Sequence, residues 1–270
     1  MSIVTANGIE QAMVTAGPAD GAPVLLVHGL GWDHTLWSGQ IETLAARGWR
    51  VIAPDLRGMG LSAKPDMAYS IDLYARDLLA LTDALDLGPF AIAGFSLGGI
   101  IATAMIEQAP SRIGAAVIAC CGVHTTAEGE AGTEAMLARS AGLGPLAFAR
   151  EQAAAIWHPD FAAANPDRVE QFIAWRAAMD QAALTRAFRA GYGIDYRPGL
   201  ARITAPVRLI AADRDPFASV ATMAAMREAI PGADLVVIEN AGHMAPIEQR
   251  DAFDAALVAC FESAWPARAG

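Results

Sequence analysis

Six short apolar runs recur along the chain, at Val24–His28, Arg50–Pro54, Phe90–Gly94, Ala115–Ala119, Val207–Ala211 and Leu235–Glu239. A strand with one wet face alternates polar and apolar positions, whereas unbroken runs of Val, Ile, Leu and Ala fit strands covered on both faces. Between the runs lie amphipathic stretches with helical spacing, at Ile71–Leu87, Leu97–Gln108, Val220–Ile230 and Ala252–Phe261. Strand–helix–strand alternation predicts a parallel sheet with helices on both faces. Ahead of it, Ile9–Val14 reads as an antiparallel edge strand, hairpinned with residues 2–6, which brings the expected sheet to eight strands.

The alternation stops between residues 122 and 200. That stretch is rich in Ala, Met, Trp and Arg, and its periodicity predicts helices at Glu134–Arg139, Leu146–Trp157 and Pro166–Arg189, with Pro166 suited to a first turn. The expected organisation is therefore an α/β core of residues 1–121 and 201–270, interrupted by a helical cap over 122–200. Such an insertion belongs over the carboxyl ends of the strands, where open α/β sheets bind ligands.

Composition narrows the class. Of 270 residues 54% are hydrophobic and 18% charged, which supplies a deep core and argues against long disordered tracts. The net charge is −10 and no basic cluster exceeds a dipeptide, so a nucleic-acid partner is not expected. No apolar run is long enough to span a membrane and the first residues lack a secretion signal. The three cysteines, two of them adjacent at Cys120 and Cys121 with Cys260 apart, suit no disulfide framework. They fit small hydrophobes in a reducing compartment, so a cytoplasmic monomer or homodimer is expected.

The chemistry centres on Gly94-Phe95-Ser96-Leu97-Gly98, a G-x-S-x-G sequence directly after a predicted strand and opening a predicted helix. In that context the serine sits on a sharp turn with its hydroxyl above the sheet, and the helix N-terminus favours developing negative charge. Outside it, the same serine would merely cap the helix. A serine hydroxyl needs a base. His243, in the loop beyond the last predicted strand, projects from the same sheet edge, unlike His124 and His158 in or beside the insertion. His34 is placed near the entrance and His28 as a hydrogen-bonder of its loop. The carboxylate that orients the base is expected in Asp213-Arg214-Asp215-Pro216, with Asp215 preferred for its rigid Pro and Asp213 as the alternative. Amides of Leu30, in His28-Gly29-Leu30-Gly31, and of Leu97 are the candidate oxyanion donors.

These motifs, together with Asp55-Leu56-Arg57-Gly58-Met59-Gly60-Leu61-Ser62 and Gly242-His243, occur in family order. Over nearly its whole length the chain resembles α/β-hydrolase-fold esterases and lactonases. Trp157-His158-Pro159-Asp160-Phe161 and Leu200–Pro206 resemble the corresponding parts of 3-oxoadipate enol-lactonases, which commonly carry another polar residue where His28 stands. The resemblance implies an eight-stranded, mostly parallel sheet and hydrolysis of a small ester or lactone. The chain has no HExxH, paired CxxC or phosphate-binding glycine motif, and no metal or cofactor is expected. Serine at 96 excludes the aspartate nucleophile of dehalogenases and epoxide hydrolases of this fold.

Trp32, Phe95 and Met244 flank the proposed machinery, and Trp157, Trp175 and Met179 are candidates for the roof of an apolar pocket. One of Arg139, Arg150, Arg168, Arg176, Arg186 and Arg189 is a candidate to hold a substrate carboxylate, although solvated helix-face arginines are the commoner case. Carbon–carbon bond hydrolysis of ring-cleavage products, cofactor-free perhydrolysis and a non-catalytic ligand receptor are the competing functions, because fold alone does not choose among them.

Overall fold

The computed structural model describes residues 1–265. Among them a single sheet contains β1 (Ser2–Ala6), β2 (Ile9–Ala16), β3 (Pro23–Val27), β4 (Arg50–Pro54), β5 (Phe90–Phe95), β6 (Ile113–Ala119), β7 (Val207–Ala212) and β8 (Asp234–Ile238). Their order is β1-β2-β4-β3-β5-β6-β7-β8. Strands β3 to β8 run parallel to one another, while β2 is antiparallel to both β1 and β4. The first hairpin turns at Asn7-Gly8, both with positive φ (48° and 73°), the backbone that a tight hairpin requires.

Two strands differ from expectation. Ile9–Val14 is not an edge strand: β2 is longer and hydrogen-bonded on both sides, and β1 takes the edge. The run Leu235–Glu239 is not covered on both faces either. As β8 it closes the far edge, with only Ile238 buried and Val237 exposed, and Arg208 of β7 pairs with its Asp234. A short, charged edge strand of this kind resists pairing with other chains.

The interior strands are covered on both faces, as their apolar runs require. Leu25 and Val27 of β3 face one layer with Ile52, Leu78, Ile101 and Met105. Val24 and Leu26 face the other with Trp37, Phe95, Phe253 and Leu257. Cys120, Cys121 and Cys260 are buried free thiols, and burial pushes the Cys121 thiol up to about 12. They are packing groups rather than reactive ones.

The chain passes from β3 to β4 on one side and then crosses back over β3 to β5 on the other, and this reversal of strand order opens a crevice at the carboxyl ends of β3 and β5. Between β6 and β7 the chain departs into helices at Ala127–Leu143, Pro145–Ile156, Pro159–Ala164, Pro166–Ala177, Gln181–Arg189 and Arg197–Leu200. Its two ends are tied together by Thr125 N–H to Ile194 O at 3.1 Å and Tyr196 N–H to Val123 O at 2.9 Å. The single helix expected over Pro166–Arg189 is two, because Asp180 accepts the Ala183 N–H at 2.8 Å and so caps a new helix start.

A buried ion pair anchors the hairpin side of the core. Arg57 donates to Asp77 through Nε at 2.7 Å and through a terminal nitrogen at 2.6 Å, and Asn7 donates to the same carboxylate at 2.6 Å. Gln11 of β2 donates to the Asp77 carbonyl at 3.0 Å. Removing one member leaves the other charge buried alone, so Asp77→Ala is expected to lower unfolding stability by about 3–5 kcal/mol, measured by urea denaturation.

Candidate active site

Between β5 and the helix Leu97–Gln108 the backbone turns at Ser96 with φ 52° and ψ −118°. A non-glycine residue there costs about 1–3 kcal/mol of strain, so the surroundings must impose it. They do. Ser96 N–H donates to Ala119 O at 2.8 Å, and Ser96 O accepts from Gly99 N–H at 2.8 Å. The turn closes only because its flanks are glycine: a Cβ on Gly94 would lie 2.1 Å from Gly98 O, and one on Gly98 would lie 2.1 Å from Val27 O.

The turn brings Ser96 Oγ to 3.0 Å from His243 Nε2, and His243 Nδ1 lies 2.8 Å from Asp215 Oδ2. The Asp215 side chain is fully buried. Its other oxygen accepts the N–H groups of Phe217 at 2.8 Å and Ala218 at 3.1 Å, which offset the desolvation of the carboxylate. Asp213 is turned elsewhere, accepting Ala241 N–H at 3.1 Å and facing Arg214 at 3.4 Å. The His243 ring is held between Phe95 and Phe217, with ring centroids 4.9 and 5.0 Å away.

The histidine loop has its own brace. Glu248, nearly buried, accepts Gly242 N–H at 2.8 Å and His158 N–H at 3.2 Å on one oxygen and Met244 N–H at 3.1 Å on the other. His243 N–H donates to Ile156 O at 2.9 Å. Burial raises the Glu248 carboxyl above its usual range, and those three amides pull against the shift. Its sequence signal, an acid five residues after the histidine, is too short-range to be told from a helix-start acid without the fold.

The other histidines do different work. His28 accepts Leu56 N–H on Nε2 at 2.9 Å, which puts its proton on Nδ1, donating to Gly29 O at 2.8 Å. Burial lowers its pKa and the Gly29 contact opposes that shift, so the neutral ring serves as a bridge between the loops after β3 and β4. His34, expected near the entrance, instead binds Asp55 at 2.7 Å and does not border the cavity. Among the described residues Asp33, His34 and Asp55 are the group with metal-ligand atoms close together. Their oxygens already accept the N–H groups of His34, Thr35 and Leu61, so they brace the loop.

Ser96 and His243 open onto a cavity of about 410 Å³. Leu30, Trp32, Phe95, Leu97 and Met244 border it as expected. Trp157, Trp175 and Met179 do not. Trp157 and Trp175 instead pack behind Trp32, at centroid distances of 6.4 and 5.2 Å. The helix Pro166–Ala177 turns Phe172 and Arg176, four residues apart on one face, toward the cavity. Gln152, Phe148 and Phe188 also line it, as does Glu151, which is held by Arg139 at 2.9 Å. Of these the periodicity could have offered Phe172 and Arg176 as a pair, but not which face of the helix would look inward.

Two outcomes follow for this site. Glu248→Ala orphans the amides around His243 and is expected to cost about 1–3 kcal/mol in urea unfolding, with Glu248→Gln recovering part of the loss. His28, lowered in the fold, stays neutral at a pH where the unfolded chain takes up a proton. Stability therefore falls as pH drops below about 6.5, by up to about 1.4 kcal/mol per pH unit for one proton. Urea midpoints between pH 5 and 7 should show a shallower slope in His28→Gln than in wild type.

Residues 22–249 match the model of the alpha/beta hydrolase fold family. The chain is 32% identical over 264 residues to 3-oxoadipate enol-lactonase 2 of Acinetobacter baylyi, covering 95% of this chain and 94% of the relative. A hydrolase from Pseudomonas aeruginosa superposes with a TM-score of 0.89 at 27% identity, over 96% of this chain and 97% of that one. A thermophilic esterase from Thermogutta terrifontis superposes equally well, with a TM-score of 0.89 at 26% identity over 97% and 98% of the two chains. With the sheet order, the serine turn and these similarities in agreement, the chain belongs to the α/β-hydrolase fold family and is a hydrolase of that fold.

Proposed function

We propose that the protein hydrolyses a carboxylic ester or lactone through an acyl-enzyme on Ser96. The observation that carries this reading is the unbroken chain from Ser96 Oγ to His243 Nε2 at 3.0 Å and from His243 Nδ1 to Asp215 at 2.8 Å, opening onto a mainly apolar cavity. The likeness to an enol-lactonase over 95% of the chain supports the lactone branch.

In this reading His243 takes the Ser96 proton on Nε2 as Oγ attacks the carbonyl. Asp215 keeps the opposite proton on Nδ1 and stabilises the imidazolium that results. The tetrahedral oxyanion is received by the amides of Leu30 and Leu97. Gly29 brings the first of these close, since a Cβ there would lie 3.3 Å from Ser96 Cβ. His243 then returns the proton to the leaving oxygen, and a water activated by the same base releases the acid. With a lactone the leaving oxygen stays tethered to the acyl group, so product departs only after water has cut the ester to Ser96. The helical insertion acts as the lid, excluding bulk water from a site where charge develops.

A fluorophosphonate probe is expected to label wild type and not Ser96→Ala. Turnover of short p-nitrophenyl esters and of a lactone panel should drop by at least about 10⁴-fold in kcat in the variant. A folded wild-type protein that neither labels nor turns over any of these substrates would sink the proposal.

A further inference from the structure

The arginines of the insertion divide sharply. Arg139 faces Glu151 at 2.9 Å, Arg150 faces Glu170 at 2.7 Å and Arg189 faces Glu134 at 2.6 Å, while Arg186 pairs with Asp66. Arg168 is exposed to solvent. Arg176 is the exception. It is only 4% exposed, it borders the cavity, and among the described residues no carboxylate lies within ion-pairing distance of it.

Its neighbours are all neutral. Nε donates to Gln152 Oε1 at 2.8 Å, one terminal nitrogen lies 3.7 Å from Met179 Sδ, and the guanidinium stands 5.6 Å from the centre of the Phe188 ring. Burial without a countercharge pushes the group down to about 9. A guanidinium has five N–H donors in a planar fork, and most of these lack an oxygen partner here. Leaving a desolvated charge uncompensated is costly, so a fold that keeps it beside a cavity keeps it for something that enters the cavity.

Its place relative to the proposed chemistry is also defined. A Cβ on Gly31 would sit 1.3 Å from an Arg176 terminal nitrogen, so the guanidinium occupies the space that glycine leaves, with Gly31 at φ 66°. Gly29, two residues earlier in the same loop, packs on Ser96. Two residues of chain span at most about 7 Å, so one short loop segment carries both the glycine that seats the guanidinium and the glycine that packs on Ser96, and both groups border the same cavity.

We propose that Arg176 anchors a carboxylate carried by the substrate, making the preferred substrate a short ester or lactone that is itself an anion, its carboxylate and its scissile carbonyl held in the one cavity that Arg176 and Ser96 share. A planar carboxylate accepts two parallel N–H bonds from the fork, and it supplies the missing countercharge inside a mainly apolar wall whose acidic member, Glu151, is already paired with Arg139. The net charge of −10 does not favour collecting anions from solution, so the selectivity resides in this one buried group. The proposal rests on the reading of Ser96 as nucleophile for the chemistry, but not for the binding.

The test compares mono-4-nitrophenyl glutarate with neutral 4-nitrophenyl pentanoate, which presents a similar chain without the charge. Wild type is expected to prefer the anionic ester in kcat/KM. In Arg176→Gln that anionic-to-neutral ratio should drop by roughly 100-fold, and in Arg176→Lys, which keeps the charge but loses the fork, by roughly tenfold. Calorimetric titration of Ser96→Ala with glutarate reads the anion site alone. Binding that the further change Arg176→Gln weakens at least tenfold supports the proposal even if neither ester is turned over. A wild-type preference for the neutral ester, a ratio within twofold of wild type in either folded Arg176 variant, or equal glutarate binding with and without Arg176 overturns it.

Discussion

At Ser96 the chain leaves β5 and enters a helix through a backbone conformation that most residues avoid, with φ 52° and ψ −118°. It is held by one hydrogen bond to β6 and by glycines whose neighbours leave no room for a side chain. Because β5 is central and fully buried, the turn cannot relax by shifting the strand. The hydroxyl is thereby fixed above the sheet, and the loops after β3, β7 and β8 need only reach it. The strain is local, and the stability that tolerates it comes from the packed layers on both sheet faces.

The sheet and the insertion divide the site between them. From the sheet come Ser96, Asp215 and His243, each at the carboxyl end of a strand or in the loop beyond one. Most of the cavity wall comes from the helices, through Phe148, Gln152, Phe172, Arg176 and Phe188. The two parts are joined at the histidine itself. Its amide binds Ile156 O, and Glu248 accepts amides from both the histidine loop and His158. A displacement of the insertion near Ile156 would therefore be felt by the ring that faces Ser96.

Buried charges elsewhere in the molecule are satisfied internally. Asp77 has Arg57 and Asn7, Asp215 has two amides and His243, and Glu248 has three amides. Against that pattern Arg176 stands out as a buried charge that, among the described residues, has neutral neighbours only. The cavity thus borders both the hydrogen-bonded Ser96–His243 pair and this buried cation.

Much of this was legible in residue order because the signals are local. Apolar runs without alternation mark strands covered on both faces, and Gly94–Gly98 between a strand and a helix marks the turn that places Ser96. The loop positions of His243 and of the Asp213–Asp215 pair follow from strand ends alone. What lies beyond that depends on neighbours distant in sequence. Asp215 rather than Asp213 meets His243 because the Phe217 and Ala218 amides hold its carboxylate inward, while Asp213 is drawn to Ala241. Trp157 and Trp175 pack behind Trp32, and Phe172 and Arg176 face the cavity, because the helix turns the face that its partners can cover. Periodicity along a helix defines a face, but only the packed tertiary structure decides what that face meets.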